Sequence, residues 1–194
     1  MPSLPARLLD VIERDVLPLT RRGVARGDKV FGAAVLRRAD LSLVVAETNA
    51  ETLSPLWHGE VHALKRLHEG PHRGEDPRGL LLLSTHEPCT MCMSAVAWAG
   101  IPLVHYLFTH EDSRDGFAIP HDLAILQEVF GLPPGGYRRA NAFWTASPIA
   151  DLVAAEPPEA QAPLRAQAAR IGEAYAALSA AYQGAKGAHA IPLA

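Results

Sequence analysis

Hydrophobic positions follow two different spacings along the chain, and each spacing predicts one kind of element. From Leu4 to Leu17, apolar residues recur three or four positions apart, which predicts a helix that Pro18 should end. Short, mostly apolar runs further on predict buried strands. In order, the expected elements are a helix over 4–17, a strand hairpin over 30–36 and 41–46, a helix over 57–69, a strand over 80–83, a helix over 89–99, a strand over 103–109, a helix within 122–130 and a strand around 142–146.

The alternation of strands and helices predicts an α/β domain with helices on both faces of one sheet. The composition changes after residue 150: 16 of the last 44 residues are alanine, and Glu156–Glu159 resembles a linker. Apolar positions then alternate spacings of four and three, at Leu164, Ala168, Ile171, Tyr175, Leu178 and Tyr182. This pattern predicts an amphipathic helix over 160–184 that packs on the domain or on a second chain. We therefore expect a domain over 1–150 and a linker with a C-terminal helix over 151–194.

Composition and charge narrow the classes of function. The 194 residues contain 18 basic and 21 acidic side chains, and a net charge of −3 argues against a nucleic-acid partner. The longest nearly uncharged apolar stretch, Met93–Val104, contains Gly100 and Pro102 and is shorter than the roughly 18 residues of a membrane span. Charged side chains interrupt the first apolar residues, which argues against a secretory leader and for a cytoplasmic protein.

The candidate chemistry lies at the predicted starts of two helices. Cys89 and Cys92 are the two cysteines of the chain, and their spacing cannot provide the framework of a disulfide-stapled secreted fold. His58 lies at the start of the preceding helix. An imidazole and two thiolates are donors that zinc prefers, and three protein ligands leave the fourth position of a catalytic zinc site open. We therefore predict a zinc site at His58, Cys89 and Cys92.

Glu60 is the predicted catalytic group. On a regular helix its side chain points about 200° away from that of His58, so we expect it to reach the activated water rather than the metal. The pattern H-x-E followed by P-C-x-x-C is typical of zinc deaminases. Glu60 would take a proton from water, deliver it to a ring nitrogen and protonate the amine that leaves as ammonia.

These motifs resemble those of the cytidine/deoxycytidylate deaminase-like superfamily, in the branch of guanine, cytosine and tRNA adenosine deaminases. The resemblance spans roughly residues 31–130. It rests on Phe31–Val35, Asn49, His58–Glu60 and Glu87–Ala95. It implies a three-layer α-β-α sandwich around a mixed five-stranded sheet, zinc as the cofactor, and pairing of two copies into a homodimer.

The resemblance also implies substrate contacts. Asn49 and the backbone N–H of Gly59 are expected to hold a ring carbonyl, and Phe31 is expected to line the pocket. Asp112 and Asp115 are candidates for contacting an exocyclic amine, with a solvated charged loop as the equal alternative. Most family members have alanine where this chain has Gly59, and the segment around the two aspartates matches no particular branch. The substrate is therefore left open.

The sequence thus predicts a zinc-dependent hydrolase that removes an exocyclic amine from a nucleobase or nucleoside, with a guanine-like free base favoured. Two alternatives remain: a tRNA adenosine deaminase, and an inactive zinc-containing protein whose C-terminal helix binds a partner. A redox function of C-x-x-C leaves His58 and Glu60 unexplained, and the protease motif H-E-x-x-H is broken by Gly59. Four other histidines lack ligand spacing and are expected to be surface or structural residues: His86, His105, His110 and His121.

Overall fold

A computed structural model describes residues 2–133, 136–188 and 191–193. Eight α-helices and five strands are found in these ranges. The helices are α1 (Leu4–Val11), α2 (Leu17–Arg26), α3 (Gly59–Glu69), α4 (Thr90–Ala99), α5 (His110–Asp115), α6 (His121–Phe130), α7 (Ile149–Ala154) and α8 (Pro158–Ala185). The strands are β1 (Gly32–Arg37), β2 (Leu43–Thr48), β3 (Leu80–His86), β4 (Leu103–Phe108) and β5 (Thr145–Pro148).

The five strands form one mixed sheet in the order β2-β1-β3-β4-β5. β1 pairs antiparallel with both β2 and β3, whereas β3, β4 and β5 run parallel. The central strand β3 is buried along its whole length, as expected of a strand covered on both faces. The predicted α/β fold with a mixed five-stranded sheet is confirmed.

The two faces of the sheet carry separate apolar cores. One core joins the sheet to the terminal helices α1, α2, α7 and α8, through residues such as Leu9, Leu83 and Tyr175. The other joins it to α3 and α4, through residues such as Leu64 and Val96. The helices α3 and α4, whose first residues carry the predicted chemistry, therefore lie side by side on one face.

The first helix is longer than the sequence pattern predicted, because Pro18 does not end it. Residues Ile12–Val16 form a π-helical turn, and α2 continues from Leu17 with the proline in its first turn. Proline lacks an N–H and its ring crowds the carbonyl of the preceding turn. The wider π turn leads into the second helical segment, which begins at Leu17.

The C-terminal helix α8 packs on the domain. All six apolar positions of its predicted stripe contact the core shared with α1, α2 and α7, and Tyr175 and Tyr182 are among its most buried side chains. The segment between α7 and α8 is only three residues long, Ala155–Pro157. The helix beyond the predicted linker thus completes one face of the sandwich.

Several element bounds differ from the expected ones. β3 extends through His86, and β5 begins at Thr145 instead of near residue 142. The short helices α5 and α7 were not predicted, since six residues carry too little periodicity to identify a helix. In the described ranges, no helix combines the length and the apolar character that a bilayer crossing requires.

Candidate active site

Three predicted zinc ligands converge at the starts of α3 and α4. His58 Nδ1 lies 3.6 Å from Cys89 Sγ and 3.7 Å from Cys92 Sγ, and the two sulfurs are 3.5 Å apart. Bond lengths of about 2.0–2.3 Å around a tetrahedral zinc ion require ligand atoms about 3.5–3.8 Å apart. The three side chains therefore form one face of a tetrahedron of the size that zinc needs.

The local backbone explains why these side chains meet. His58 and Cys89 are the N-cap residues of α3 and α4, both in extended conformation, and Cys92 lies in the first turn of α4. Helix starts present free N–H groups and the positive end of the helix dipole, which favour a thiolate. The packing of α3 against α4 brings the two starts together.

The side chains of His58, Cys89 and Cys92 shift one another's pKa values. A hydrogen bond with Cys92 lowers the pKa of Cys89, an effect that burial opposes and His58 strengthens. The hydrogen bond with Cys89 and burial raise the pKa of Cys92. Burial opposes the charging of His58, but its hydrogen bond with Cys89 and the charge of that thiolate raise its pKa to about 9. The site thus favours the thiolate of Cys89 next to the imidazole, and a thiolate is the form of cysteine that binds a metal ion.

Glu60 lies beside this cluster and is only 4% exposed. Its Oε1 accepts a hydrogen bond of 2.8 Å from Ser84 Oγ at the end of β3, and its Oε2 lies 3.3 Å from Cys92 Sγ. Burial, followed by the charge of Cys89, raises the pKa of the Glu60 carboxyl. A buried carboxyl with a raised pKa next to a metal cluster is suited to accepting and returning protons.

A cavity of about 260 Å³ opens on the cluster, with His58 and Cys89 in its wall. Most of the other wall residues are apolar, and they come from five separate parts of the chain: Phe31, Pro55, Leu56, Met91, Ile119, Ile125, Ile191, Pro192 and Leu193. The charged wall residues are Lys29, Glu51 and Asp122. Pockets for drug-sized ligands span roughly 300–1,000 Å³, so this cavity suits one small ring system.

The predicted substrate residues have different positions. Phe31 lies in the cavity wall. Asn49 and Gly59 are buried outside that wall and bond to each other, with the Gly59 N–H donating to Asn49 Oδ1 at 2.6 Å. Asn49 Nδ2 in turn donates to Glu51 Oε2 at 2.9 Å. In this arrangement Asn49 engages the Gly59 N–H at the start of α3, and contact of the pair with a ring carbonyl stays a prediction.

The structure does not bring Asp112 and Asp115 to the cavity. Asp112 belongs to the capping box of α5, where its carboxylate accepts from the backbone N–H and hydroxyl of Thr109. Asp115 forms an exposed ion pair with Arg114. Asp115 is thus a solvated charged residue at the end of α5, and Asp112 caps the start of the same helix.

Sequence reasoning missed three charged residues of the cavity wall, namely Lys29, Glu51 and Asp122. Lys29 precedes β1, Glu51 follows β2, and Asp122 lies in the first turn of α6. Burial and the charge of Cys89 raise the pKa of Asp122 to about 8. No motif spacing relates these three residues. The sequence feature that could have identified them is the presence of charged side chains beside predicted buried strands.

Three of the four remaining histidines have structural contacts, and one of them is the buried His105 in β4, whose Nδ1 lies 2.9 Å from Ser147 Oγ in β5. His86 is buried among four aromatic rings, those of Phe31, Phe108, Phe117 and Tyr175. His110 lies at the start of α5, and its Nε2 is 3.2 Å from the carbonyl of Pro88. His121 lies in the cavity wall, away from the three ligand atoms of the metal cluster.

Comparison with known proteins gives matches over the part of the chain that contains this site. The model of the cytidine and deoxycytidylate deaminase zinc-binding region matches residues 13–108, a span that contains all three cluster residues and Glu60. Guanine deaminase of Bacillus subtilis is 31% identical over 104 residues, which are 51% of this chain and 62% of that protein. The alignment thus spans less than two thirds of the relative. The matched zinc-binding region and the fitted cluster confirm zinc as the predicted cofactor.

Two solved structures share the fold. Guanine deaminase from Nitrosomonas europaea is 23% identical with a TM-score of 0.53, covering 87% of this chain and 86% of that chain. The structure of guanine deaminase from Bacillus subtilis is 21% identical with a TM-score of 0.53, covering 85% of this chain and 93% of that chain. These two likenesses show a shared fold, and the matched family model and the geometry of the metal cluster support the resemblance to the cytidine/deoxycytidylate deaminase-like superfamily.

Proposed function

We propose that this protein is a zinc-dependent hydrolytic deaminase of a small heterocyclic amine. One observation carries the proposal: the buried Glu60 carboxyl lies beside a three-ligand cluster of zinc dimensions, and that cluster faces a cavity. A purely structural zinc site has four protein ligands and needs no neighbouring acid. The arrangement is that of a catalytic site.

His58, Cys89 and Cys92 would hold the metal. Zinc, when bound at three protein ligands, lowers the pKa of water enough to supply a nucleophile near neutral pH. Glu60 takes one proton from the attacking water and delivers it to the ring nitrogen next to the amine-bearing carbon. It then transfers the second proton to the amine. The C–N bond breaks and ammonia leaves, so that water and the aminated ring yield an oxo ring and ammonia.

Ser84 and the apolar walls support this role of Glu60. The Ser84 hydroxyl holds Oε1, which leaves Oε2 directed toward the metal cluster. Apolar side chains such as Phe31 and Ile119 keep bulk water away from the reacting atoms and offer flat contact to a planar ring. Both effects would favour proton transfer between Glu60 and the substrate over exchange with solvent.

A purine free base of the guanine type is the substrate that we favour. The cavity suits one ring system, and the cation in its wall, Lys29, is already paired with Glu51 at 2.7 Å, which argues against a phosphate-bearing ligand. Asp122 adds an acceptor for the N–H groups at the edge of an aminated ring. A related protein, 22% identical with a TM-score of 0.53, forms a complex with 2,6-diaminopurine.

An ammonia-release assay of the zinc-loaded protein tests the proposal. The panel contains guanine, 2,6-diaminopurine, adenine, cytosine, their nucleosides and a tRNA. We expect ammonia from at least one free base, with guanine first, and a matching amount of the oxo product. Turnover of tRNA alone would select the RNA-editing alternative. Absence of turnover on the whole panel would contradict the proposed activity.

We also propose that two copies pair through an apolar surface formed by α4 and residues 141–144. The sequence of α4 contains no charged residue, and Trp98 is 92% exposed. Phe143, on the neighbouring segment, is 69% exposed. A two-fold axis would place identical patches face to face, as in most homodimers. In light scattering, the wild type should have the mass of a dimer and Trp98→Lys the mass of a monomer. A monomeric wild type would contradict the pairing.

The free thiols also support the predicted location. Cys89 and Cys92 are unbridged and are useful to a metal only in the reduced state. We propose that the protein acts in the cytoplasm, where thiols are kept reduced. Fractionation of cells followed by detection of the protein tests this location, and recovery from an oxidising compartment would contradict it.

A further inference from the structure

Glu51 contacts His58 from the side opposite the metal cluster. Because His58 Nδ1 faces both sulfurs, its Nε2 points the other way, and Glu51 Oε1 lies 3.8 Å from it. When Nδ1 of a neutral imidazole binds a metal, the ring proton lies on Nε2. Metal-binding histidines usually direct that N–H to a carboxylate, carbonyl or water, which fixes the orientation and tautomer of the ring.

Glu51 is also connected to the backbone next to His58. Asn49 Nδ2 donates to Glu51 Oε2, and Asn49 Oδ1 accepts from the N–H of Gly59, the residue after the ligand. The carboxylate therefore reaches the histidine by two routes, one through the ring and one through the first residue of α3. Both routes limit how far the ligand can move away from the two sulfurs.

The buried charge of Glu51 is compensated locally. Lys29 Nζ donates to Oε1 at 2.7 Å and the Lys29 backbone N–H donates to Oε2 at 3.2 Å, while both side chains are at most 5% exposed. A buried carboxylate is costly unless it is paired and hydrogen bonded, and Glu51 is both. The ion pair can therefore hold a negative charge close to His58 without leaving it unsatisfied.

From these contacts we propose that Glu51 is a positioning residue of the zinc site, which orients His58 while Lys29 neutralises its charge. This proposal concerns zinc affinity and does not depend on deamination. A protein that deaminates nothing would still show the effect if Glu51 acts in this way.

The test is chelator competition for zinc with the purified full chain. Glu51→Gln removes the negative charge near Nε2, and we expect the zinc dissociation constant to rise about 10- to 100-fold, as for other groups that support metal ligands. Glu47→Gln is the matched control, because Glu47 Oε2 lies 3.5 Å from Nδ1 of His62, a histidine on the same helix outside the cluster. This control should bind zinc as the wild type does.

A second variant and a second readout separate positioning from general stability. Glu51→Asp keeps a negative charge beside Lys29, but its shorter side chain withdraws the carboxylate from His58. We expect its loss of zinc affinity to lie between that of wild type and that of Glu51→Gln. The rise in Tm on adding zinc should shrink in both Glu51 variants, whereas a merely structural role would lower Tm equally with and without zinc. Zinc affinity within about 3-fold of wild type in folded Glu51→Gln, or an equal loss in Glu47→Gln, would overturn the proposal.

Discussion

Ser84 Oγ donates a hydrogen bond of 2.8 Å to Glu60 Oε1. Ser84 lies near the end of the central strand β3, which carries the chain directly into the loop that holds Cys89. The strand thus positions the acid and one metal ligand together. Ser84 belongs to neither of the sequence motifs that contain Glu60 and Cys89.

Removal of this hydrogen bond should impair turnover without loss of metal. Bonds to charged groups contribute about 1.5–3 kcal/mol, so we expect kcat of Ser84→Ala to fall about 10- to 100-fold if the orientation of Glu60 matters in the transition state. Steady-state kinetics and zinc content of the same sample are the measurements. Ser94→Ala, an exposed serine on α4, is the control. An unchanged kcat in Ser84→Ala would show that Glu60 needs no such support.

Replacement of a ligand should remove zinc and its contribution to stability together. Cys92 is fully buried between His58, Cys89 and Glu60, so Cys92→Ser should lose most bound zinc. At free zinc 1,000 times above Kd, binding stabilises a folded protein by about 4 kcal/mol, and this increment should disappear. Metal analysis and thermal unfolding with and without zinc measure both effects. Retention of one zinc per chain in the variant would contradict the ligand set.

The close approach of α3 to β1 explains why this chain has glycine at position 59, where most members of the family it resembles have alanine. A Cβ at this position would lie 2.7 Å from Cα of Gly32 and 3.1 Å from N of Ala33, both in the backbone of β1. Alanine is the better helix former, yet here it would push the start of α3 away from the sheet. The glycine thus allows α3 to approach β1 closely enough to place His58 and Glu60.

We therefore expect Gly59→Ala to destabilise the fold by about 1–3 kcal/mol, as overpacked sites do, and to weaken zinc binding. Gly74→Ala is the matched control, since no described atom beyond its chain neighbours lies within 4 Å of a Cβ there. Its effect should stay within about 0.5 kcal/mol. Urea unfolding of both variants measures the difference. A Gly59→Ala protein as stable as wild type would mean that the contact with β1 is easily relieved.

His86 makes the folded state sensitive to acid. Burial among aromatic rings lowers its pKa from 6.5 to about 3, so the folded protein keeps the ring neutral in a range where the unfolded chain binds a proton. Stability from this group is complete above pH 6.5 and is lost as the pH falls toward 3. One proton of difference corresponds to a slope of about 1.4 kcal/mol per pH unit.

The variant His86→Phe should remove this slope. Between pH 4 and 6, its free energy of unfolding should fall less steeply than that of wild type by about 1 kcal/mol per pH unit. Urea titrations of the zinc-free proteins at several pH values provide the comparison. Parallel curves for the two proteins would contradict the buried neutral histidine.

The metal cluster could be predicted from sequence because its geometry is mostly local. Cys89 and Cys92 lie at and just after one helix start, His58 lies at another, and turn signals mark both starts. The alternation of strands and helices along the chain and the apolar stripe of α8 followed the apolar periodicity, although the continuation of the helix through Pro18 did not. That exception arose because a π turn accommodated the proline, which propensity alone does not indicate.

The cavity wall could not be predicted in the same way. Lys29, Glu51 and Asp122 meet through tertiary packing of segments up to 93 residues apart in sequence. Asn49 was expected to contact substrate, but its side-chain oxygen is bonded to Gly59 and its amide to Glu51. Whether the Asn49 side chain bonds to other residues or to a ligand depends on distances between atoms, and a sequence pattern does not give those distances.

The most direct test of the account compares wild type and Glu60→Gln, each loaded with zinc, for ammonia release from guanine and for metal content. Loss of a general acid and base that serves several proton transfers should lower kcat by at least about 10²- to 10⁴-fold. Both proteins should hold one zinc ion per chain, because Glu60 is not a ligand. Equal turnover by the two proteins, or loss of zinc from Glu60→Gln, would contradict a metal centre served by a separate proton-transferring carboxylate.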